Sequence, residues 1–317
     1  MAGGHLITRV TILGSGLIGG SFALALRKYL SNLQIAGWDR ADVIRQTQFA
    51  HTFDKTFSGP LGPALQNADL IYIALPISVT VDLLPQIARQ APANALITDA
   101  CSTKLRISHA AAELFPETGG PLFLGGHPMA GKEVSGFAHA DADLFRSSTY
   151  ALIAESADPE VEGVLTRIYE APAHAAVLEK GLIIPQDPRI SAFVKILEKI
   201  GARPLWLGAS QHDYAVGLAS HLPQLVAIAL ASFLYDRLDE NGLPITLAGP
   251  GLRDSLRLAG SSYSTWRDIV LTNREVLSAT LDLYARKLDE LRDRLASRDL
   301  EADFDSANEL YKLLRSM

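Results

Sequence analysis

The stretch "VTILGSGLIGGSFALAL" restricts the possible folds more than any other part of the 317-residue chain. A run of strand character leads into Gly14, Gly16 and Gly19 in G-x-G-x-x-G spacing, and an apolar helix follows. The first glycine permits a tight turn, the second lets backbone approach a pyrophosphate, and the third lets helix and strand pack closely. The helix N-terminus then faces the phosphates. Ser15, Leu17 and Ile18 belong to the same loop. Glycine spacing alone is weak evidence, but here the strand and helix that a dinucleotide site needs are on either side.

A second-strand acid completes the pattern. Asp39 ends "LQIAGWD", 20 residues past Gly19. A carboxylate there can accept hydrogen bonds from the adenosine ribose hydroxyls and would repel a 2′-phosphate, which favours NAD over NADP. Arg40 complicates this, since an arginine can host a 2′-phosphate or stack on adenine. Leu75 and Pro76, closing "DLIYIALP", are placed with the cofactor site.

Up to about residue 208, short β-rich runs alternate with helical segments: "LITRVTIL", "LQIAGWD", "DLIYIALP", "NALITDA", "PLFLGG", "TYALIA" and "RPLWLG". This predicts a mostly parallel sheet with helices on both faces, an α/β Rossmann-type domain over 1–209. From Ser210 the strand signal stops, which predicts an all-α helical domain over 210–317, opened by Ser210 and Asp213 in capping-box positions. Leu277, Leu281, Tyr284, Leu288, Leu291 and Leu295 alternate in steps of four and three, an apolar stripe along a long helix. It suits a subunit seam or a helix packed on its own domain. A shorter helix is expected over 303–316. The connection over 155–187 is long for a strand-to-helix link.

Composition narrows the partners. The net charge of -6 comes without basic runs, so nucleic acid is not an expected partner. Neither is a membrane, because no uninterrupted apolar stretch approaches roughly 18 residues. "MAGGHLITRV" lacks the pattern of a signal peptide, and Cys101, the only cysteine, fits a reducing cytoplasm as a small buried residue.

Polar groups that a packed core would not choose mark a substrate side. Ser102 and Thr103, in "TDACSTK", follow a strand at the carboxyl edge where open α/β sheets bind ligands, and Ser102 also suits a helix N-cap. In "FLGGHPMAGKEVSG", Gly125 and Gly126 allow close backbone approach while Pro128 disfavours helix at His127. A histidine so held suits taking a proton from a hydroxyl as hydride leaves the carbon. In "HDYAVGLASHLPQ", Gly217, His221 and Gln224 share a helix face, with Pro223 expected to bend the helix. In "GPGLRDSLRLAG", Arg253 and Arg257 stand four apart and suit a substrate with more than one carboxylate. His212, nine residues before His221, falls half a turn out of phase on a regular helix. No HExxH or CxxC spacing points to a metal.

"GSGLIGGS", "DACSTK", "GGHPMAGKEVSG", "HDYAVGLASHLPQ" and "GPGLRDSLRLAGSSYSTWRDI" follow one another as in the prephenate and arogenate dehydrogenases of tyrosine biosynthesis, which the chain resembles from about residue 8 to 275. The resemblance implies a nucleotide-binding domain, a helical domain that forms a homodimer, and an active site in the cleft between them. It implies NAD-dependent oxidative decarboxylation of prephenate to 4-hydroxyphenylpyruvate, with arogenate, giving tyrosine, as the alternative. By family position His127 is the catalytic acceptor, Ser102 orients hydroxyl and nicotinamide, Arg253 grips a carboxylate, and His221 contacts substrate or nicotinamide. Some relatives carry a second histidine where Gln224 stands, near the substrate side chain. A β-hydroxyacid or 6-phosphogluconate-type dehydrogenase shares the architecture, but would call for a lysine where this chain has "SHLPQ".

Overall fold

A computed structural model describes residues 7–47, 51–116, 119–132, 134–154, 182, 184–238 and 242–316. The long connection read at 155–187 falls for the most part outside the described residues. Six parallel strands form the main sheet in the order β3-β2-β1-β4-β5-β6. They are β1 (Arg9–Leu13), β2 (Gln34–Trp38), β3 (Lys55–Phe57), β4 (Leu70–Ile73), β5 (Leu96–Asp99) and β6 (Leu122–Leu124). The order reverses direction between β1 and β4, so the loops after those strands open a crevice at the carboxyl edge.

Alternation along the central strands explains why both faces are covered. Val10, Ile12, Leu70, Tyr72 and Leu96 pack into one apolar cluster, with Phe22 and Leu26 of α1 (Leu17–Tyr29). Leu13, Ile71, Ile73 and Ile97 point the other way, against Leu84 and Ile87 of α4 (Ile77–Gln90) and Ile107 of α5 (Leu105–Ala112). Two shorter helices, α2 (Ala41–Thr47) and α3 (Gly62–Leu65), lie between them in the chain. Phe22 stacks on Tyr72 with ring centroids 4.0 Å apart. The result is a parallel sheet buried on both sides.

The run "PLFLGG" does not make one strand. Gly125 separates β6 from β7 (Gly126–Pro128), and β7 joins a second sheet with β8 (Thr149–Ile153) and β9 (Arg203–Leu207), in the order β7-β8-β9. β7 is antiparallel to β8, and β8 is parallel to β9. The break follows from crowding: a Cβ on Gly126 would lie 2.8 Å from the backbone oxygen of Asp99, so only glycine lets the chain cross the end of β5. β3 has no counterpart among the runs read from sequence, being three residues long. Helix α6 (Pro188–Lys199) precedes β9 and contributes Phe193 and Leu197 to the first cluster.

Helices follow β9. The first is α7 (Ala209–Val216), continued through a π turn (Gly217–His221) into α8 (Leu222–Tyr235). The capping box read at Ser210 and Asp213 is not formed: Gly208 is the N-cap, and the Asp213 carboxylate goes elsewhere. Nor is the irregularity a simple proline bend. Pro223 has no N–H and crowds the carbonyl of Ala219, and the helix relaxes by one wide turn in which Leu222 N–H donates to the Gly217 oxygen.

By length and composition the run Ala209–Tyr235 could cross a membrane, with an 18-residue window of mean hydropathy 1.5. Counting only uninterrupted apolar residues passes over it. Its buried side carries Ser210, His212, Asp213, His221 and Gln224, so one face of this run packs polar side chains against the rest of the chain. Then come α9 (Leu243–Thr246), α10 (Pro250–Leu256), α11 (Tyr263–Thr272), α12 (Arg274–Arg294) and α13 (Glu301–Ser316). On α12 the apolar stripe is buried at Leu277 and open to solvent at Leu281 and Leu288, and Leu295 beyond its end is open as well.

Candidate active site

All six strands of the main sheet run the same way, so the segments that follow them leave it at one edge. Among them are the glycine loop after β1, Asp39 after β2, Leu75–Pro76 after β4, Cys101–Lys104 after β5, and Gly125, which leads from β6 into β7. The helical segment packs against that edge through α7 and α11.

The glycine loop has the shape that a dinucleotide needs. Gly14 has φ +94°, and a Cβ on it would lie 2.3 Å from the Ala74 oxygen. A Cβ on Gly19 would fall 1.9 Å from the Gly14 oxygen, so close packing of α1 on its own turn depends on that glycine. A Cβ on Gly16 would meet nothing within 4 Å, which leaves its outer side open for phosphate. The Ser15 hydroxyl is buried with no hydrogen-bond partner among the described residues, while Leu17 and Ile18 begin α1. Asp39 accepts hydrogen bonds from Ser15 N–H and Arg40 N–H, both at 2.7 Å, which holds its carboxylate at the loop. Arg40 is exposed and 3.4 Å from Asp42, a surface pair of little energetic weight. Leu75 is half-buried and Pro76 is the N-cap of α4.

The polar centre is a cluster of histidines. His127 is the middle residue of β7, opposite Ala151 of β8. Its Nδ1 lies 2.9 Å from His212 Nε2, and His212 Nδ1 lies 2.8 Å from Asp213 Oδ1. The regular helix on which His212 and His221 would stand half a turn apart is not what forms. The π turn absorbs one residue, which cuts the offset between His212 and His221 from roughly 180° to roughly 80°.

His221 is buried and packs edge-on against Trp266 at 5.6 Å. Asn273 Nδ2 donates to the backbone oxygen of Asp213 at 2.8 Å, which fixes the amide's orientation, and it also donates to His221 Nδ1 at 3.1 Å. Neutral His221 thus carries its proton on Nε2. Burial, then repulsion from His212, Lys104 and His221, holds the His127 pKa well below the usual imidazole range. Burial pushes His221 down to about 4, with Asp213 opposing and His212 adding to the shift. Both rings are neutral near pH 7, and only a neutral imidazole can take up a proton.

Beneath His127 lies a buried ion pair that sequence reading missed. Lys104 Nζ contacts the Asp99 carboxylate and donates to the Gly126 oxygen at 2.6 Å. Asp99 also accepts from Gly126 N–H at 3.1 Å and Cys101 N–H at 3.0 Å, so this pair fixes where β7 starts. The signal was available in "TDACSTK", where an acid and a lysine flank the singled-out Ser102 and Thr103. Ser102 is half-buried and does not cap α5, whose N-terminal amides at Lys104 and Leu105 donate to Asp213 at 2.7 and 2.9 Å. Thr103 bonds across to Thr272 at 2.8 Å. Cys101 is buried, and burial pushes its thiol up to about 12.

The remaining substrate-side residues are less convergent than their spacing suggests. Gln224 is buried, donating to the Leu258 oxygen at 2.8 Å and accepting from the Ser261 hydroxyl at 3.4 Å, so its amide pins the turn after α10. Arg253 is exposed on α10. That helix ends at Leu256, and Arg257 starts a 3-10 turn, so the two arginines do not share one regular helix.

The sequence itself matches the nucleotide-binding domain of prephenate dehydrogenases over residues 22–175 and their dimerization domain over 208–315. A prephenate dehydrogenase of Lactococcus lactis is 33% identical over 295 residues, covering 93% of this chain and 73% of that protein. The chain belongs to the prephenate dehydrogenase family. A cyclohexadienyl dehydrogenase of Zymomonas mobilis is 26% identical, over 92% of this chain and 89% of that one. The crystal structure of prephenate dehydrogenase from A. aeolicus in complex with hydroxyphenyl propionate and NAD+ has the same fold. It superposes with a TM-score of 0.79 at 22% identity over 98% of each chain.

Proposed function

We propose that this protein is an NAD-dependent prephenate dehydrogenase, converting prephenate to 4-hydroxyphenylpyruvate and CO2. The observation that carries the reading is His127, a neutral imidazole tied to His212 at the carboxyl edge of a dinucleotide-type sheet. Family membership supplies the reaction class, and arogenate is the competing substrate for the same site.

Gly14, Ser15, Gly16, Leu17, Ile18 and Gly19 hold the pyrophosphate side of NAD, Asp39 takes the ribose hydroxyls, and Leu75 and Pro76 line the approach. Bound NAD supplies the hydride acceptor. His127 receives the hydroxyl proton as the ring carbon becomes a carbonyl, with Ser102 orienting that hydroxyl. Loss of the ring carboxylate sends its electrons to the carbonyl oxygen, which takes the proton back from His127 as the ring becomes aromatic. The proton count therefore closes within the site. Arg253 and Arg257 answer the substrate's two carboxylates, His221 offers its Nε2–H, and Gln224 acts at one remove by fixing the turn that carries Arg257.

Cofactor binding is assigned to residues 1–209, and substrate closure and dimer formation to 210–317, in a soluble cytoplasmic homodimer. The exposed apolar residues of α12 and α13 support the dimer. Asp39 and the exposed, Asp42-paired Arg40 support NAD over NADP. The deciding experiment is NADH formation by the purified protein, comparing kcat/KM for prephenate and arogenate with NAD and NADP each in turn. A preference for prephenate with NAD is expected. Preference for arogenate would move the enzyme to the other branch, and no turnover of either would end the proposal.

A further inference from the structure

Three side chains stand in line: Asp213 Oδ1 is 2.8 Å from His212 Nδ1, and His212 Nε2 is 2.9 Å from His127 Nδ1. The order of their protons follows from which atoms can only accept. Asp213 is met by three donors, Lys104 N–H, Leu105 N–H and His212, so the proton between it and His212 belongs to Nδ1 of the imidazole. Neutral His212 then has a bare Nε2, and the proton between the two rings belongs to His127 Nδ1. His127 Nε2 is left bare.

We propose that His212 and Asp213 are positioning residues that hold His127 as its Nδ1–H tautomer, so that Nε2 is the atom that receives the substrate's hydroxyl proton. This rests on the reading of His127 as the acceptor. The opposite tautomer would present an N–H to the hydroxyl and could not take its proton. His212 is buried, its ring lies 5.1 Å from that of His127 at 67°, and it has no other partner on Nε2 among the described residues. Once Nε2 is protonated, the Nδ1–H bond to His212 becomes charge-assisted. Asp213, through His212, then offsets the repulsion that Lys104 exerts on the new cation. Asp213 itself is fixed by the amides of Lys104, the N-cap of α5, and Leu105, its first residue, so the orientation of the ring is set by the start of a helix in the nucleotide-binding domain.

The test reads the tautomer directly. In full-length enzyme with 15N-labelled histidine at slightly alkaline pH, His127, assigned by its loss in His127→Asn, is expected to show a protonated Nδ1 and a bare Nε2. In His212→Leu it should shift toward Nε2–H, with kcat at least 100-fold lower and NAD affinity unchanged. His212→Gln keeps an acceptor oxygen near the Nε2 position, so it should retain the Nδ1–H tautomer and turn over within about 10-fold of wild type. A wild-type His127 found as Nε2–H would overturn the proposal, and so would a His212→Leu enzyme with normal kcat. If His127→Asn itself turned over normally, the acceptor role would fail instead, whatever the tautomer. The wild-type spectrum and His212→Gln keep the test open if His212→Leu fails to fold.

Discussion

The carboxylate of Asp268 on α11 sits on the first turn of α4, where Ser78 donates to it from its backbone N–H at 3.0 Å and from its hydroxyl at 2.5 Å. Asp213 on α7 does the same for α5. Two helices of the parallel-sheet domain thus have their N-terminal amides satisfied by acids from the helical segment. Helix N-termini carry unpaired N–H groups and a positive dipole end. This pairing therefore docks the helical segment against the sheet edge where the glycine loop and His127 lie.

Replacing Asp268 by alanine should lower stability by about 1–2 kcal/mol, the usual loss for a helix cap. Burial raises the Asp268 carboxyl pKa, but the bonds from Ser78 and Arg267 outweigh it and hold the group below its ordinary 3.8. With a depressed folded pKa, the stabilisation is present above the unfolded value and fades as pH falls through the folded one. Urea titrations of wild type and Asp268→Ala should therefore differ by a constant amount near neutrality and converge below about pH 4. A difference that persisted in acid would mean that packing, not charge, holds the contact.

Gly16→Ala and Gly19→Ala should separate binding from folding. A Cβ on Gly16 meets no protein atom within 4 Å but projects into the space assigned to the pyrophosphate. Its melting temperature should stay near wild type while the Kd for NAD rises at least 10-fold. A Cβ on Gly19 would overlap the Gly14 oxygen at 1.9 Å, so this variant should lose stability with or without NAD. Thermal unfolding paired with NAD titration checks both, and tight NAD binding by Gly16→Ala would move the phosphates elsewhere.

These glycines were legible because their spacing is local: strand, turn and helix are consecutive in the chain. The same holds for Asp39 and for His127, set by neighbours within two residues. What stayed hidden depended on contacts between distant parts. Asp213 looked like a cap for its own helix because a capping box is a local pattern, yet it caps α5, 108 residues away. His212 read as half a turn out of phase with His221 because counting residues assumes 3.6 per turn throughout, whereas a wide turn before Pro223 lies between them. Gly125 and Gly126 were read as permitting approach to a ligand. Their structural work is also to carry the chain across the end of β5 into a second sheet.

Acid stability should report His221. Its folded pKa of about 4 lies below the ordinary 6.5, so the unfolded chain takes the proton first. The stabilisation is complete above about pH 6.5 and is lost as pH falls toward about 4. Across that window one such group gives a slope of about 1.4 kcal/mol per pH unit. His127, also held low, adds in the same direction. Urea titrations between about pH 6 and 5, inside that window, should show a slope that His221→Gln reduces by about 1 kcal/mol per unit. An unchanged slope would place the proton uptake on other groups.

Kinetics should divide His127 from Arg253. His127→Asn removes the proposed acceptor but leaves the glycine loop intact, so kcat should fall by about 10²–10⁴ with NAD affinity unchanged. Arg253 is exposed on α10 and has no protein partner among the described residues, so its loss should leave the fold alone. Arg253→Ala should raise KM for the substrate at least 10-fold with a smaller effect on kcat. Arg253→Lys should recover only part of that loss, because lysine restores the charge but not the planar fork that matches a carboxylate. Equal recovery by lysine would indicate a point-charge contact, and an unaffected KM in Arg253→Ala would assign the carboxylate to Arg257 alone.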